Sequence, residues 1–175
     1  MKKIIFGILF LAAFAVQTKA QSVTAEAKAE VSSQLSISGN PVTGATLNFG
    51  KIAVSAGSPG SCTISTVGVL TVAGSVNTIP STTSNAIFDL TGIAGATYAI
   101  TLPASTLVTR VGGAETMTVD NFNSRPNSTG SNALTGTLNN LVGTDSFSVG
   151  GKLNVNTNQA NGIYIGTFLV SVAYN

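Results

Sequence analysis

Apolar and polar residues trade places at every second position along much of this chain. The first run is Val23, Ala25, Ala27, Ala29 and Val31, with Thr24, Glu26, Lys28 and Glu30 between them. Strict period-two alternation predicts a strand, because successive side chains of a strand point to opposite faces. In a helix the same spacing would spread apolar groups over every side. Leu35 and Ile37 form a second short pattern, and Leu47 and Phe49 begin a third. There the apolar parity switches across Gly50 to Ile52 and Val54, which predicts a bulge or bend at the glycine. Further strands are expected over Cys62–Val76, Ala86–Leu90, Thr97–Leu102, Glu115–Phe122, Ala133–Leu138, Ser146–Val155 and Ile163–Tyr174.

Turn residues punctuate these runs: Gly57-Ser58-Pro59-Gly60, Gly92 to Gly95, Gly112-Gly113, Arg125 to Gly130, and Gly150-Gly151. Many short strands with regular turns predict an all-β sandwich or barrel. Ser146–Val155 reads as a hairpin. A three-residue loop, Gly150 to Lys152, would pair Val149 with Leu153 and Phe147 with Val155 and keep them on one face. In the closing strand Tyr164, Phe168, Val170, Val172 and Tyr174 share a face, with Gly166 interrupting. That strand is expected inside the fold or along its edge.

The N-terminus follows a different rule. Met1-Lys2-Lys3 is positive, Ile4 to Val16 is uncharged and apolar apart from Gly7, and Gln17-Thr18-Lys19-Ala20 is polar and ends on a small residue. This is the three-part secretory signal helix, with cleavage expected after Ala20. The run falls short of the roughly 20 apolar residues a membrane span needs. No Cys follows it to carry a lipid, and no later segment reads as a span. The expected organisation is a signal peptide over 1–20, an alternating strand within 21–33, and one β-sandwich domain over 34–175. The protein is expected in the periplasm, on the cell surface or outside the cell.

Cleavage changes the charge. The whole chain carries +2, but Lys2, Lys3 and Lys19 leave with the signal. Lys28, Lys51, Arg110, Arg125 and Lys152 then face six acids, a net of −1. Charges this sparse give no footprint for nucleic acid. Only Cys62 is present, so no internal disulfide can form. It reads as a small buried hydrophobe in a strand, with an intermolecular link as the other reading.

The chain has no His, the commonest general base and metal ligand. It has no Gly-x-Ser-x-Gly elbow and no phosphate-binding glycine loop. Asp89, Glu115, Asp120 and Asp145 remain as carboxylates that could pair in space, though nothing in their spacing asks for it. Asp120-Asn121-Phe122-Asn123 is a thin candidate for a calcium ligand set, and strand end and turn is the plainer reading. No enzyme activity, cofactor or metal is expected.

Two stretches carry a resemblance. Thr46-Leu47-Asn48-Phe49-Gly50-Lys51 resembles a strand of the spore coat U-like proteins and archaic chaperone–usher pilins. Gly162 to Tyr174 resembles the Gly-x-Tyr-x-x-Thr-x-x-Val-x-Val closing strand of the same group. With Gly95 to Pro103 and Val149 to Val155, the whole chain after the signal is most similar to a secreted bacterial domain-of-unknown-function family (DUF4402-like). The pilin resemblance implies an incomplete immunoglobulin-like sandwich whose gap is filled by the N-terminal extension of the next subunit. It assigns that docking to Val23, Ala25, Ala27, Ala29 and Val31. The implied partners are the chain itself or related subunits, with a periplasmic chaperone. The spore coat U-like proteins carry a disulfide near their first strands, which this chain cannot form. The rival reading is a closed, monomeric surface module that keeps its own first strand and offers its loops to a glycan or protein.

Overall fold

The computed structural model describes Glu26, residues 28–55 and residues 57–175. The expected signal helix, and Val23, Ala25 and Ala27, lie outside the described residues. Ala29 and Val31 are described and belong to no strand. The strands all belong to the compact unit Ser32–Asn175.

Every regular element among the described residues is a strand. In chain order they are β1 (Ser36–Gly39), β2 (Lys51–Val54), β3 (Gly60–Ile64), β4 (Leu70–Gly74), β5 (Val76–Ile79), β6 (Ala86–Thr91), β7 (Thr97–Thr101), β8 (Ser105–Arg110), β9 (Thr116–Pro126), β10 (Thr135–Thr137), β11 (Thr144–Val155), β12 (Tyr164–Ile165) and β13 (Ser171–Tyr174). All pairings between them are antiparallel. The large sheet runs β1-β6-β11-β9-β8-β12, with β3 on the second half of β11 and β4 beyond it. Two smaller sheets, β10-β7-β13 and β2-β5, are not hydrogen-bonded to each other. These curled sheets are consistent with a β-sandwich.

The core has two centres. One gathers Ala86, Leu90, Tyr98, Ile100, Leu138, Phe147 and Val149. The other gathers Cys62, Val76, Met117, Val119, Leu153 and Val155. The long strand β11 supplies both, through Phe147 and Val149 in its first half and Leu153 and Val155 in its second.

That strand corrects the expected hairpin. Gly150-Gly151 lies inside β11, and Phe147 pairs with Phe88 and Pro126, not with Val155. The glycines are there for close approach. A Cβ at Gly150 would collide with the backbone of Ile64, Ser65 and Thr66. One at Gly151 would press on the Phe122 ring and Leu47. Here β11 exchanges one neighbour, β6, for another, β3. Its register against β9 also shifts between Gly150 and Lys152, beside Asn121 with its φ of 49°. That shift is a bulge.

Other expected elements are also redrawn. Cys62–Val76 divides into β3, β4 and the start of β5, turned at Thr66 to Gly68. The turn expected from Arg125 begins two residues later, at Asn127, because β9 continues to Pro126. β8 had no expectation at all. At Gly50 the expected bend is present, with φ of +71° and Ser81 and Thr83 filling the space a Cβ would need.

Candidate functional site: an apolar groove beside the closing strand

A groove of about 950 Å³ opens between the β2 side of the small β2-β5 sheet and the chain around β12. One wall is Leu47, Phe49, Ile52 and Val54; the other is Tyr164 to Phe168. The floor is Val108, Met117, Val119, Leu153 and Val155, from β8, β9 and β11. It therefore lies directly over the second core centre.

Among the described residues, both walls present backbone with no ladder partner on the groove side. β2 pairs only with β5, placing Val54 opposite Val76 and Ile52 opposite Thr78. Ser55 N–H donates to the Ser75 carbonyl at 3.0 Å, which fixes the phase of the ladder. Antiparallel alternation then turns the N–H and C=O of Ile52 and Val54 away from β5, toward the groove. Across it, β12 pairs Tyr164 with Arg110, and Val111 N–H donates to the Ile163 carbonyl at 2.8 Å. The same alternation leaves the Tyr164 backbone facing away from β8. Residues 166–170 form no ladder before β13 begins.

Two tyrosine hydroxyls hold the ends of the closing segment. Tyr164 donates to the Ala160 carbonyl and accepts from Gln159 Nε2, both at 2.7 Å. Tyr174 donates to the Ser33 carbonyl at 3.1 Å and accepts from Ile93 N–H at 2.8 Å. Between them Phe168 stacks on Phe122, with ring centroids 5.0 Å apart. Tyr164, Phe168, Val170, Val172 and Tyr174 are all half-buried, while Ile165, Leu169, Ser171 and Ala173 are exposed. Tyr164 packs on the second core centre and the other four on the first. Gly166 is pressed so close to the backbone of Leu107 and Val108 that no side chain fits inward.

The acidic residues are dispersed. Asp89 accepts from Asn40 Nδ2 at 2.9 and 3.0 Å, and Asp145 accepts from the Tyr98 hydroxyl at 2.7 Å. Burial first, and then Asp145, push the Tyr98 phenol well above its ordinary range. Glu115 forms an exposed ion pair with Arg110 at 2.6 Å. Hydrogen bonding within that pair holds the carboxyl low and the guanidinium high. Asp120 accepts from Asn154 Nδ2 at 2.8 Å, while its Oδ1 is buried without a partner. Among the described residues no three His, Cys, Asp or Glu side chains could share a metal ion. Among the described residues there is no helix long and apolar enough to cross a membrane, which says nothing of a β-barrel. Cys62 is fully buried, and burial pushes its thiol up to about 11.

Fold and groove together define a curled all-β domain with an apolar cleft between β2 and the chain around β12. The chain belongs to the family described as Domain of unknown function (DUF4402), whose profile matches residues 35–174. No curated protein and no solved structure matches it significantly.

Proposed function

We propose that this chain is an exported, non-enzymatic structural subunit with an immunoglobulin-like but incomplete sandwich, polymerised by β-strand addition. The supporting observation is the apolar groove bordered on both sides by backbone that no described residue pairs, at Ile52 and Val54 and at Tyr164. An inserted strand gains main-chain hydrogen bonds from each wall, and its alternate side chains reach the floor. Val23, Ala25, Ala27, Ala29 and Val31 of a neighbouring copy have the pattern such a groove selects. A chaperone in the exporting compartment would shield the groove until exchange.

One observation favours a closed monomer instead. Tyr174 holds the Ser33 carbonyl, so the chain is tied to its own body just after the alternating segment. A turn at Ser32 would return residues 23–31 to their own groove, leaving a surface module whose loops meet a glycan or protein. Gel filtration of the chain from Gln21, with and without residues 21–31, separates the two. Exchange gives ladders on unboiled denaturing gels from the intact chain and none after deletion. A soluble intact monomer without ladders would reject polymerisation.

A further inference from the structure

Two apolar patches are left uncovered at opposite ends of β11. Leu141 (90% exposed) and Val142 (68%) precede its first residue, in a turn whose Gly143 is joined to Gly92 beside exposed Ile93. At the other end Asn156 reaches the Thr116 carbonyl, next to β8, where Val111 (58%) and Ile163 (70%) are joined by a backbone hydrogen bond. Ile163 also lines the groove. The Arg110–Glu115 ion pair beside Val111 is internally neutral, and residues 139–143 carry no charge, so nothing repels at either patch.

The chain enters its body at the first patch. Leu35 touches the Gly92 turn, and Tyr174 bridges Ser33 to Ile93. Only four peptide units separate Val31 from Leu35, a reach of at most roughly 14 Å. With Val31 docked in a neighbour, the tip carrying Leu141 stands within that reach of the neighbour's groove, which Ile163 lines.

We infer that the Ile93–Leu141–Val142 tip of each donating copy seats on Val111 and Ile163 of the accepting copy, a contact that rests on the strand-exchange reading. Pairing two different patches at opposite ends is heterologous, so it joins copies head to tail. It also covers the large apolar residues left exposed at both ends.

The test uses the chain from Gln21. Leu141→Cys and Ile163→Cys variants are mixed and mildly oxidised; buried Cys62 stays out of reach. The inference expects a Leu141→Cys to Ile163→Cys cross-link in excess of either self-link. It also expects the double variant Leu141→Ser/Val142→Ser to build ladders about tenfold more slowly at unchanged thermal stability. Ladders at the parental rate from that variant, with no mixed cross-link, overturn the tip contact and leave strand exchange standing. No ladder even from the parent chain removes strand exchange, and the tip contact with it.

Discussion

Glycine at 150 works by what it lacks. The backbone of Ile64 to Thr66 occupies the space of its missing Cβ, so β3 and β11 can approach closely where β11 changes partner. Gly150→Val forces those strands apart and is expected to cost about 3 kcal/mol, read as a lowered urea midpoint. A parental midpoint would mean that the contact is slack. Cys62 illustrates burial without chemistry. Its ordinary pKa of 9.0 rises to about 11, so the folded state keeps its proton where the unfolded state has lost it. Stability attached to this thiol is therefore full below pH 9 and is lost as pH climbs through 11. The parent should lose more stability than Cys62→Ala between pH 8 and pH 10.5, and its thiol should ignore a disulfide reagent at pH 8 until denatured. Equal losses in both would reject the linkage. At this scale burial of Cys62 and the bend at Gly50 were legible in the sequence. Close approach at Gly150 was not, because a glycine pair carries the same letters in a turn as in a crossing of backbones.

Among elements, the closing segment keeps the expected inward face but not the expected continuity: Ile163–Tyr174 was expected as one strand and forms two, β12 and β13, with residues 166–170 in neither. Tyr164, Phe168 and Val170 face inward, yet Ile163, Ile165 and Leu169 are apolar and exposed on the other side. A strand apolar on both faces normally lies between two layers. Here it borders a groove, which two of its residues, Ile163 and Ile165, also line. β8 went unread because Leu107 and Val108 are adjacent and blur the alternation, although Thr106 to Thr109 is β-prone. The Cys62–Val76 run hid a hairpin for a similar reason: Thr66-Val67-Gly68 continues a β-rich composition through the turn. The groove itself arises from which edges remain unpaired, a property of topology that no local pattern encodes. Its edge can be tested directly. Val54 turns its N–H away from β5, so Val54→Pro removes no existing ladder bond. The variant should unfold within about 1 kcal/mol of the parent's free energy and lose its ladders on unboiled gels. Ladders at parental intensity would show that β2 accepts no strand.

At the scale of the whole molecule, the direction of the closing strand makes the strongest demand on the exchange reading. It runs from Tyr164 at the groove to Tyr174 at the opposite end, and β13 is the outer strand of its sheet. A segment attached after Asn175 through a short turn would run back beside that free edge, antiparallel to β13, and arrive in the groove from within the same chain. Moving residues 21–33 to that position turns the encounter between copies into an intramolecular one, at an effective concentration in the millimolar range for a short linker. The rearranged chain should elute as a monomer, give no ladder, and melt roughly 5 °C above a chain merely lacking residues 21–31, as about 2 kcal/mol of added stability would produce. Binding of a peptide of residues 21–31 should then be lost, because the groove is occupied. A rearranged chain that still assembles, or melts with the deletion variant, would show that the alternating segment does not belong in this groove in any copy.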